Sequence, residues 1–156
     1  MKLENKVAIV TGGSRGIGRA IVLQLASEGA KVVFTYQSSE QVANELTEEV
    51  KKNGGEAFCI KADASSFEEA QKVVNFALEK FGSLSILVNN AGATKDNLLL
   101  RMSESDFDAV IDTNLKSVFN YTKAILKPFL SQRFGKIINI SSVVGITGNA
   151  GQANYV

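Results

Sequence analysis

A glycine-rich stretch, residues 11–18, has the residue types and spacing of a phosphate-binding turn. It follows an apolar run, residues 7–10, and leads into a segment with apolar residues at helical spacing, so it should join a buried strand to an amphipathic helix. Its glycines allow a sharp turn and a close approach of the backbone to a ligand. The first amides of the helix have no partner within the helix and can bind an anion. The alternative is a tight turn without a ligand.

Composition limits the side chains that are available for catalysis. The chain contains no histidine, which excludes a Ser-His-Asp triad and a histidine-ligated metal site, and we expect no bound metal. Cys59 is the only cysteine, so no internal disulfide can form, and its apolar neighbours predict packing inside a strand. Any chemistry must therefore use serine, tyrosine, lysine, asparagine or a carboxylate.

The elements that would position such groups alternate along the chain. Five short apolar runs are separated by longer periodic segments, which indicates β-α units in series and a parallel sheet. The strands are predicted at residues 7–10, 32–36, 57–60, 86–88 and 137–140. Right-handed crossovers then give an α/β fold, a Rossmann-type doubly wound sheet in the order 3-2-1-4-5. A ligand should bind at the carboxyl ends of strands 1 and 4, where the strand order reverses.

Capping residues mark the ends of the first three predicted helices. Ser66 and Glu69 form a capping-box pattern at the start of the third helix. Val42, Leu46 and Val50 recur every four residues and predict the buried face of the second. The three helices are predicted from 16 to about 28, from near 39 to 53–55, and from 66 to 81, with glycines at their C-terminal ends.

A long helical region is predicted from residue 103 or 105 to about 134. Its apolar residues cover more than one stripe, so a second face is expected to meet another helix or subunit. Pro128 lies inside this region and removes a backbone donor, which predicts a kink or a break near it. Residues 91–102 form the one long loop, and long loops in compact domains are often functional.

Length and charge favour a single domain with a small ligand. The chain has 156 residues, with 17 Lys and Arg against 16 Asp and Glu, so no net field attracts nucleic acid or an anionic membrane. No apolar run approaches the roughly 20 residues that span a bilayer, and the first residues lack the apolar region of a signal peptide. We expect a cytoplasmic protein with neither nucleic acid nor membrane as a partner.

The residues after strand 2 favour NADP over NAD as the ligand. An NAD-binding fold places Asp or Glu there, against the ribose hydroxyls. This chain has Gln37 instead, so a 2′-phosphate would meet no repulsion. Arg15, in the glycine-rich stretch, could bind that phosphate through a charge-assisted pair of hydrogen bonds. A solvated loop arginine is the alternative for Arg15.

Polar residues also follow strands 3 and 4. Asp63 could accept a hydrogen bond from an adenine amino group, or it could cap the next helix or form an Asx turn. Asn89 and Asn90, followed by Ala91 and Gly92, could tie neighbouring strands together or contact a ribose. Both interpretations stay open for each position.

The combination resembles the short-chain dehydrogenase/reductase family from Lys6 to the last residue. The matching motifs are TGGSRGIG at 11–18, Asp63, NNAG at 89–92, Asn114 within DTNL, Ser142 and Tyr155. Residues 90–99, 142–145 and 148–155 look like the branch that reduces 3-oxoacyl thioesters carried by acyl-carrier protein in fatty-acid synthesis. The resemblance therefore implies NADP(H) as the cofactor and the loaded carrier protein as the partner.

The resemblance also implies a division of labour. Tyr155 would protonate the ketone oxygen as hydride arrives from the nicotinamide, and Ser142 would hydrogen-bond the same oxygen, so both would bind substrate. Asn114 would interrupt its helix and hold a water in a proton relay. The cofactor would lie against Tyr155 and against Gly12, Gly13, Ser14, Arg15, Gly16, Ile17, Gly18, Gln37, Asp63, Ala64, Asn90, Ala91 and Gly92.

The chain departs from the family pattern at its end. It stops at Val156, so it does not include the lysine that the family has four residues after the tyrosine. Positive charge there is what makes a phenol, with an ordinary pKa of about 10, useful near neutral pH. The last two of the family's seven strands are also not included. We expect one C-terminally incomplete dinucleotide-binding domain over residues 1–156, inactive as it stands, with strand 5 as an open edge. The full-length protein is expected to be a tetramer.

Two other functions remain as alternatives. One is a related reductase of another ketone or alcohol, because this half of the fold determines the cofactor more than the substrate. The other is a dinucleotide-binding module without turnover. A basic cluster, Lys127, Arg133 and Lys136, could attract an acidic carrier protein or could form an ordinary solvated face.

Overall fold

The computed structural model describes residues 1–156, which form a parallel five-stranded sheet. The strands are β1 (Val7–Val10), β2 (Lys31–Tyr36), β3 (Glu56–Lys61), β4 (Ile86–Asn89) and β5 (Lys136–Asn139). Their order is β3-β2-β1-β4-β5, and all neighbours pair in parallel. The predicted strands and the predicted order are confirmed, with strand ends that differ by a single residue.

Helices cover both faces of the sheet. They are α1 (Gly16–Ser27), α2 (Glu40–Lys52), α3 (Phe67–Phe81), α4 (Glu104–Ile111), α5 (Ser117–Gln132) and the short α6 (Val144–Thr147). The predicted cap of α3 is confirmed, since Ser66 Oγ accepts a hydrogen bond from the Glu69 amide at 3.3 Å. Gly82 ends the same helix with a φ of 74°, a conformation that favours glycine.

Alternate strand residues belong to two separate cores, as the period of two in a strand requires. Ile9, Val33 and Leu87 pack in a cluster with α3 and α5. Val10, Val32 and Phe34 pack in a second cluster with α1 and α2. On α2 the prediction was partly wrong: Leu46 and Val50 are buried, but Val42 is 40% exposed. Ala43 takes the buried position because it lies three residues before Leu46, the other helical spacing.

The long helical region differs from its prediction at Pro128. No break occurs there, and α5 continues through Pro128 to Gln132. Ile125 and Phe129 are buried against the sheet on either side of it, and their packing outweighs the one backbone hydrogen bond that proline cannot make. The interruption lies earlier, at a π-helical turn over Asp112–Lys116 between α4 and α5.

Several large apolar side chains remain exposed on one side of the molecule. Strand β5 is an edge strand, as expected, and Ile137, Ile138 and Ile140 are 38%, 47% and 40% exposed. The α5 region keeps a second apolar surface, also as expected, formed by Leu115, Phe119, Leu126 and Leu130. None of the helices is both long enough and apolar enough to cross a membrane. Cys59 is half-buried in β3 beside the α1–α2 core.

Candidate functional site

A cleft of about 380 Å³ opens at the carboxyl ends of the strands, where the strand order reverses. It brings together segments that follow β1, β2, β3 and β4. Its lining contains Gly12, Ser14, Arg15, Gly16, Ile17, Gly18, Thr35, Tyr36, Gln37, Ser38, Ser39, Ala62, Asp63, Ala64, Asn90, Ala91, Gly92, Ala93 and Thr113. Of the residues that the sequence assigned to the cofactor, Gly13 and Tyr155 do not line it.

The glycine-rich loop presents free backbone donors to this cleft. The N–H groups of residues 14–18 have no acceptor within the chain, because these residues precede α1 or form its first turn. They lie at the positive end of the helix dipole, and the adjacent Arg15 is exposed and makes no ion pair. Free donors with positive potential are what a phosphate group needs, so the loop has the chemistry of an anion site.

Three glycines are required by the geometry of this loop. Gly12 has a φ of +63°, and a Cβ there would lie 3.0 Å from Ala91 Cα. A Cβ on Gly18 would overlap the Gly12 carbonyl oxygen and come within 2.5 Å of Asn90 Nδ2. Gly13 is packed against Phe34 in the same way, which explains why it supports the cleft without lining it.

Thr11 and Asn90 fasten the ends of β1 and β4 together. Thr11 Oγ1 accepts hydrogen bonds from the amides of Asn90 and Ala91, both at 2.9 Å. Asn90 Nδ2 donates to the carbonyl oxygens of Thr11 and Gly12, both at 3.0 Å. Asn90 therefore ties the strands, one of its two predicted roles, while Oδ1 keeps its capacity to accept from a ligand. Thr11, only 2% exposed, was missed as a site residue; its position between a buried strand and a glycine was the available signal.

Asp63 forms an Asx turn, the structural role that the sequence allowed. Its Oδ1 accepts from the Ser65 amide at 2.9 Å and from Ser65 Oγ at 2.8 Å. Asp63 is nevertheless exposed in the cleft, and its Oδ2 and the Ala64 N–H have no partner in the chain. An acceptor and a donor thus stand side by side at this end of the cleft.

The segment that follows β2, residues 37–39, carries no carboxylate. Gln37, Ser38 and Ser39 line the cleft together with Arg15, and sequence reasoning missed the two serines although they directly follow Gln37. Tyr36 also contributes, and burial, with Glu40 adding to it, raises the pKa of its phenol, which stays neutral. This end of the cleft therefore offers one cation and several hydroxyl or amide groups.

Asn114 lies in the π-helical turn, at the interruption between α4 and α5. Its Nδ2 donates to the carbonyl oxygens of Val110 and Ala93, both at 2.8 Å, and its Oδ1 accepts from the Ala93 amide at 3.2 Å. The side chain thus binds a carbonyl in the last turn of α4 and anchors the start of the long loop. Its proposed hold on a water stays a prediction.

Ser142 and Tyr155 lie outside the cleft lining. Ser142 follows β5, and its Oγ accepts from the Val144 amide at 3.4 Å. The half-buried Tyr155 makes no side-chain hydrogen bond, so the two hydroxyls are not bonded to each other. A Cβ on Gly145 would lie 3.9 Å from the Val156 carbonyl oxygen, which shows that the α6 segment and the Tyr155 segment are adjacent.

The long loop supports the segment that carries Tyr155. The Asn97 amide donates to the Gly151 carbonyl at 2.8 Å, and Gln152 Nε2 donates to the Asp96 carboxylate at 3.1 Å. Asn154, 6% exposed, donates to the Lys95 carbonyl at 3.0 Å. Asn154 was missed by the sequence reasoning, because a lone asparagine beside a tyrosine gives no sign of a distant partner.

The sequence profile of the short chain dehydrogenases matches residues 6–156, almost the whole chain. The chain belongs to the short-chain dehydrogenase family. Membership implies a nicotinamide dinucleotide as cofactor, and the free amides of the loop and the donor and acceptor at Ala64 and Asp63 fit such a molecule.

Relatives in this family carry a more specific name. The chain is 52% identical over 152 residues to a 3-oxoacyl-[acyl-carrier-protein] reductase of Staphylococcus epidermidis, with 97% of this chain and 62% of that protein covered. It is 52% identical over 151 residues to the reductase of the same name from Staphylococcus aureus, covering 97% and 61%. A 3-oxoacyl-[acyl-carrier-protein] reductase of Synechocystis is 50% identical over 153 residues, covering 98% and 62%. The chain thus spans about three-fifths of the length of these curated relatives.

Proposed function

We propose that the full-length protein is an NADPH-dependent reductase that converts 3-oxoacyl-acyl-carrier protein to the 3-hydroxyacyl form in fatty-acid synthesis. The observation that carries the proposal is the cleft, with free amides at residues 14–18 and no carboxylate on the segment after β2. The relatives that bear this reductase name, at 50% identity or more, support the substrate.

NADPH fits the charge of the cleft better than NADH. In this proposal the pyrophosphate lies on the free amides of the glycine-rich loop, and Arg15 pairs with the 2′-phosphate beside Gln37, Ser38 and Ser39. A carboxylate after β2 would repel that phosphate, and none is present before Glu40. Asp63 Oδ2 would accept a hydrogen bond from the edge of adenine, and the Ala64 N–H would donate one to it.

Catalysis requires the hydroxyls of Ser142 and Tyr155 to contact the ketone oxygen of the substrate. The bound nicotinamide supplies the hydride. Tyr155 donates a proton to the carbonyl oxygen, while Ser142 donates a hydrogen bond to the same atom and orients it. In this proposal Asn114 holds a water that returns the proton to Tyr155, and the lysine that the family has four residues after the tyrosine would assist this step.

The direct experiment measures NADPH oxidation by the full-length protein with a 3-oxoacyl thioester of acyl-carrier protein. Rapid oxidation is expected with NADPH and much slower oxidation with NADH. Sugar and steroid ketones serve as competing substrates. Faster turnover of one of them would favour a related ketone reductase, and binding of NADPH without turnover of any ketone would favour a dinucleotide-binding module.

A first prediction separates the role of Tyr155 from cofactor binding. Tyr155→Phe should lower the reduction rate by about a thousandfold or more, because it removes a proton donor whose action is worth 10²–10⁴-fold or greater. The dissociation constant of NADPH, measured by its fluorescence, should change less than about threefold, since the hydroxyl makes no hydrogen bond within the chain. An equal loss of affinity and rate would contradict the assigned role.

The proposal also includes a cytoplasmic location and a tetrameric assembly of the full-length protein. The exposed apolar side chains of the α5 region support assembly, because surfaces of this kind usually meet a partner. The basic cluster of Lys127, Arg133 and Lys136 supports an acidic carrier protein as the partner.

A further inference from the structure

Asn120 is a buried polar residue in the middle of the packed face of α5. It is 2% exposed, and its neighbours on the same face include Tyr121 and Ile125, both fully buried. Its Nδ2 donates to the carbonyl oxygens of Ala64 at 3.2 Å and Ser65 at 2.9 Å. One amide group therefore fastens the segment after β3 to a helix that is far away in the sequence.

That segment supplies one wall of the cleft, and although Ala62 and Ala64 pack in the core with α3 and α5, its other hydrogen bonds are few. Between Ala62 and Ser66, the remaining hydrogen bonds of residues 63–65 stay within the segment: Asp63 Oδ1 with Ser65, and the Ser66 amide with the Asp63 carbonyl. Asn120 makes the only hydrogen bonds from a distant residue to Asp63, Ala64 or Ser65. Without it, two carbonyl groups at a buried position would lose their donor, which proteins rarely tolerate.

The hydrogen bonds of Asn120 also fix the orientation of the Asp63 carboxylate, through the geometry of the Ala64–Ser65 peptide. In a trans peptide the carbonyl and the following N–H point in opposite directions. Holding the Ala64 carbonyl toward α5 therefore turns the Ser65 N–H away from α5, and this N–H donates to Asp63 Oδ1 at 2.9 Å. The carboxylate is fixed by one of its oxygens, and the other, Oδ2, is left without a partner in the chain.

We propose that Asn120 is a positioning residue for the adenosine end of the bound dinucleotide. It holds the Ala64–Ser65 peptide so that Asp63 Oδ2 and the Ala64 N–H stay aligned with the edge of the purine. It touches no ligand itself, since it does not line the cleft. That the 62–66 segment binds the dinucleotide rests on the proposed function. The two hydrogen bonds by which Asn120 fixes this segment do not depend on it.

Gln132 provides a matched control on the same helix. Its Nε2 donates to the Leu84 carbonyl at 3.0 Å, and its Oε1 accepts from the Leu84 amide at 3.3 Å. It therefore joins α5 to a loop through the same side-chain chemistry as Asn120. That loop precedes β4, at the end of the sheet opposite the cleft.

The test compares Asn120→Leu with Gln132→Leu in the full-length protein. Asn120→Leu should raise the KM for NADPH by about tenfold, the equivalent of one lost hydrogen bond, and leave kcat at saturating NADPH within about twofold. Amide hydrogen exchange of the 62–66 segment should become faster. Gln132→Leu should lower the melting temperature without raising this KM or the exchange of 62–66.

The outcomes separate the positioning role of Asn120 from the proposed reductase function. An unchanged exchange rate of 62–66 in Asn120→Leu, or an equal rise in KM in Gln132→Leu, would overturn the positioning role. A second variant, Asn120→Asp, keeps the shape and loses the donor, and it should reproduce the faster exchange if Asn120→Leu does not fold. Absence of NADPH turnover in the unmodified protein would count against the proposed function, while the exchange comparison still decides the role of Asn120.

Discussion

At the scale of single residues, the same atoms hold the fold together and form the site. Thr11 and Asn90 join β1 to β4 through four hydrogen bonds, and in doing so they fix the mouth of the cleft. Gly18 is small because Asn90 and the Gly12 carbonyl occupy the space that a Cβ would need. A substitution here therefore changes stability and ligand binding together.

Gly18→Ala should weaken NADPH binding by about tenfold or more and lower the free energy of unfolding by about 1–3 kcal/mol, the usual cost of overpacking. Gly54→Ala is the control, because Gly54 has a φ of +80° and open space around it, away from the cleft. It should cost about 1–2 kcal/mol through backbone strain and leave NADPH binding unchanged. Fluorescence titration and urea unfolding measure the two quantities, and an unaltered NADPH affinity in Gly18→Ala would be evidence against the loop as the phosphate site.

At the scale of elements, the region from α4 to α5 is organised around the long loop rather than around Pro128. From the π-helical turn, Asn114 hydrogen-bonds the loop at Ala93. The loop in turn hydrogen-bonds the segment that carries Tyr155. Asp106 on α4 strengthens this arrangement: its carboxylate accepts from Ser103 Oγ at 2.7 Å and from Lys95 Nζ at 2.9 Å. The Ser103 hydrogen bond and Lys95 lower the pKa of Asp106 below its ordinary value of 3.8.

The lowered pKa of Asp106 predicts a pH dependence of stability. The ionised carboxylate is favoured in the folded state, so its contribution is complete above about pH 5 and is lost as the pH falls through 3.8 toward the lower folded value. Asp106→Asn should therefore reduce stability at pH 7 and flatten the acid part of the stability profile, measured by urea unfolding from pH 7 to pH 3. Asp108→Asn, on the same helix, is the control; an unchanged slope in Asp106→Asn would argue against this contribution.

At the scale of the whole molecule, β5 and α5 together carry a large exposed apolar surface. Phe119 and Leu126 line a groove of about 990 Å³ together with Ile137, and the opposite side of the sheet is covered by α1 and α2. Apolar surface of this extent favours association with more polypeptide. The chain spans about three-fifths of the length of its relatives. The polypeptide that covers this surface can therefore come from the rest of the full-length protein or from another subunit.

Leu126→Glu should shift the full-length protein from a tetramer to smaller species in sedimentation velocity, because a buried unpaired charge is strongly unfavourable. Val42→Glu is the matched control, since Val42 is 40% exposed and Leu126 is 43% exposed, but Val42 lies on α2. The assembly of the Val42→Glu variant should be unchanged. Sedimentation of the unmodified full-length protein as a monomer would exclude the proposed tetramer.

The sequence by itself determined the order of the strands and the site's main segments. Apolar runs of strand length, capping residues such as Ser66, and glycines after helices are local signals, and connection rules then leave one simple sheet order. Because ligands bind where that order reverses, the glycine-rich stretch and residues 89–92 could be assigned to one cleft before any coordinates.

Only the tertiary structure decided which alternative each polar residue adopts. Asp63 forms an Asx turn with Ser65, a local choice that the sequence left open against a ligand role, whereas Asn90 ties strands through Thr11, 79 residues away. Pro128 remains helical because packing across α5 outweighs a local preference, and Val42 yields to Ala43 because the sheet fixes the orientation of α2. The role of Asn120 was invisible in the sequence because its partner Ala64 lies 56 residues away along the chain.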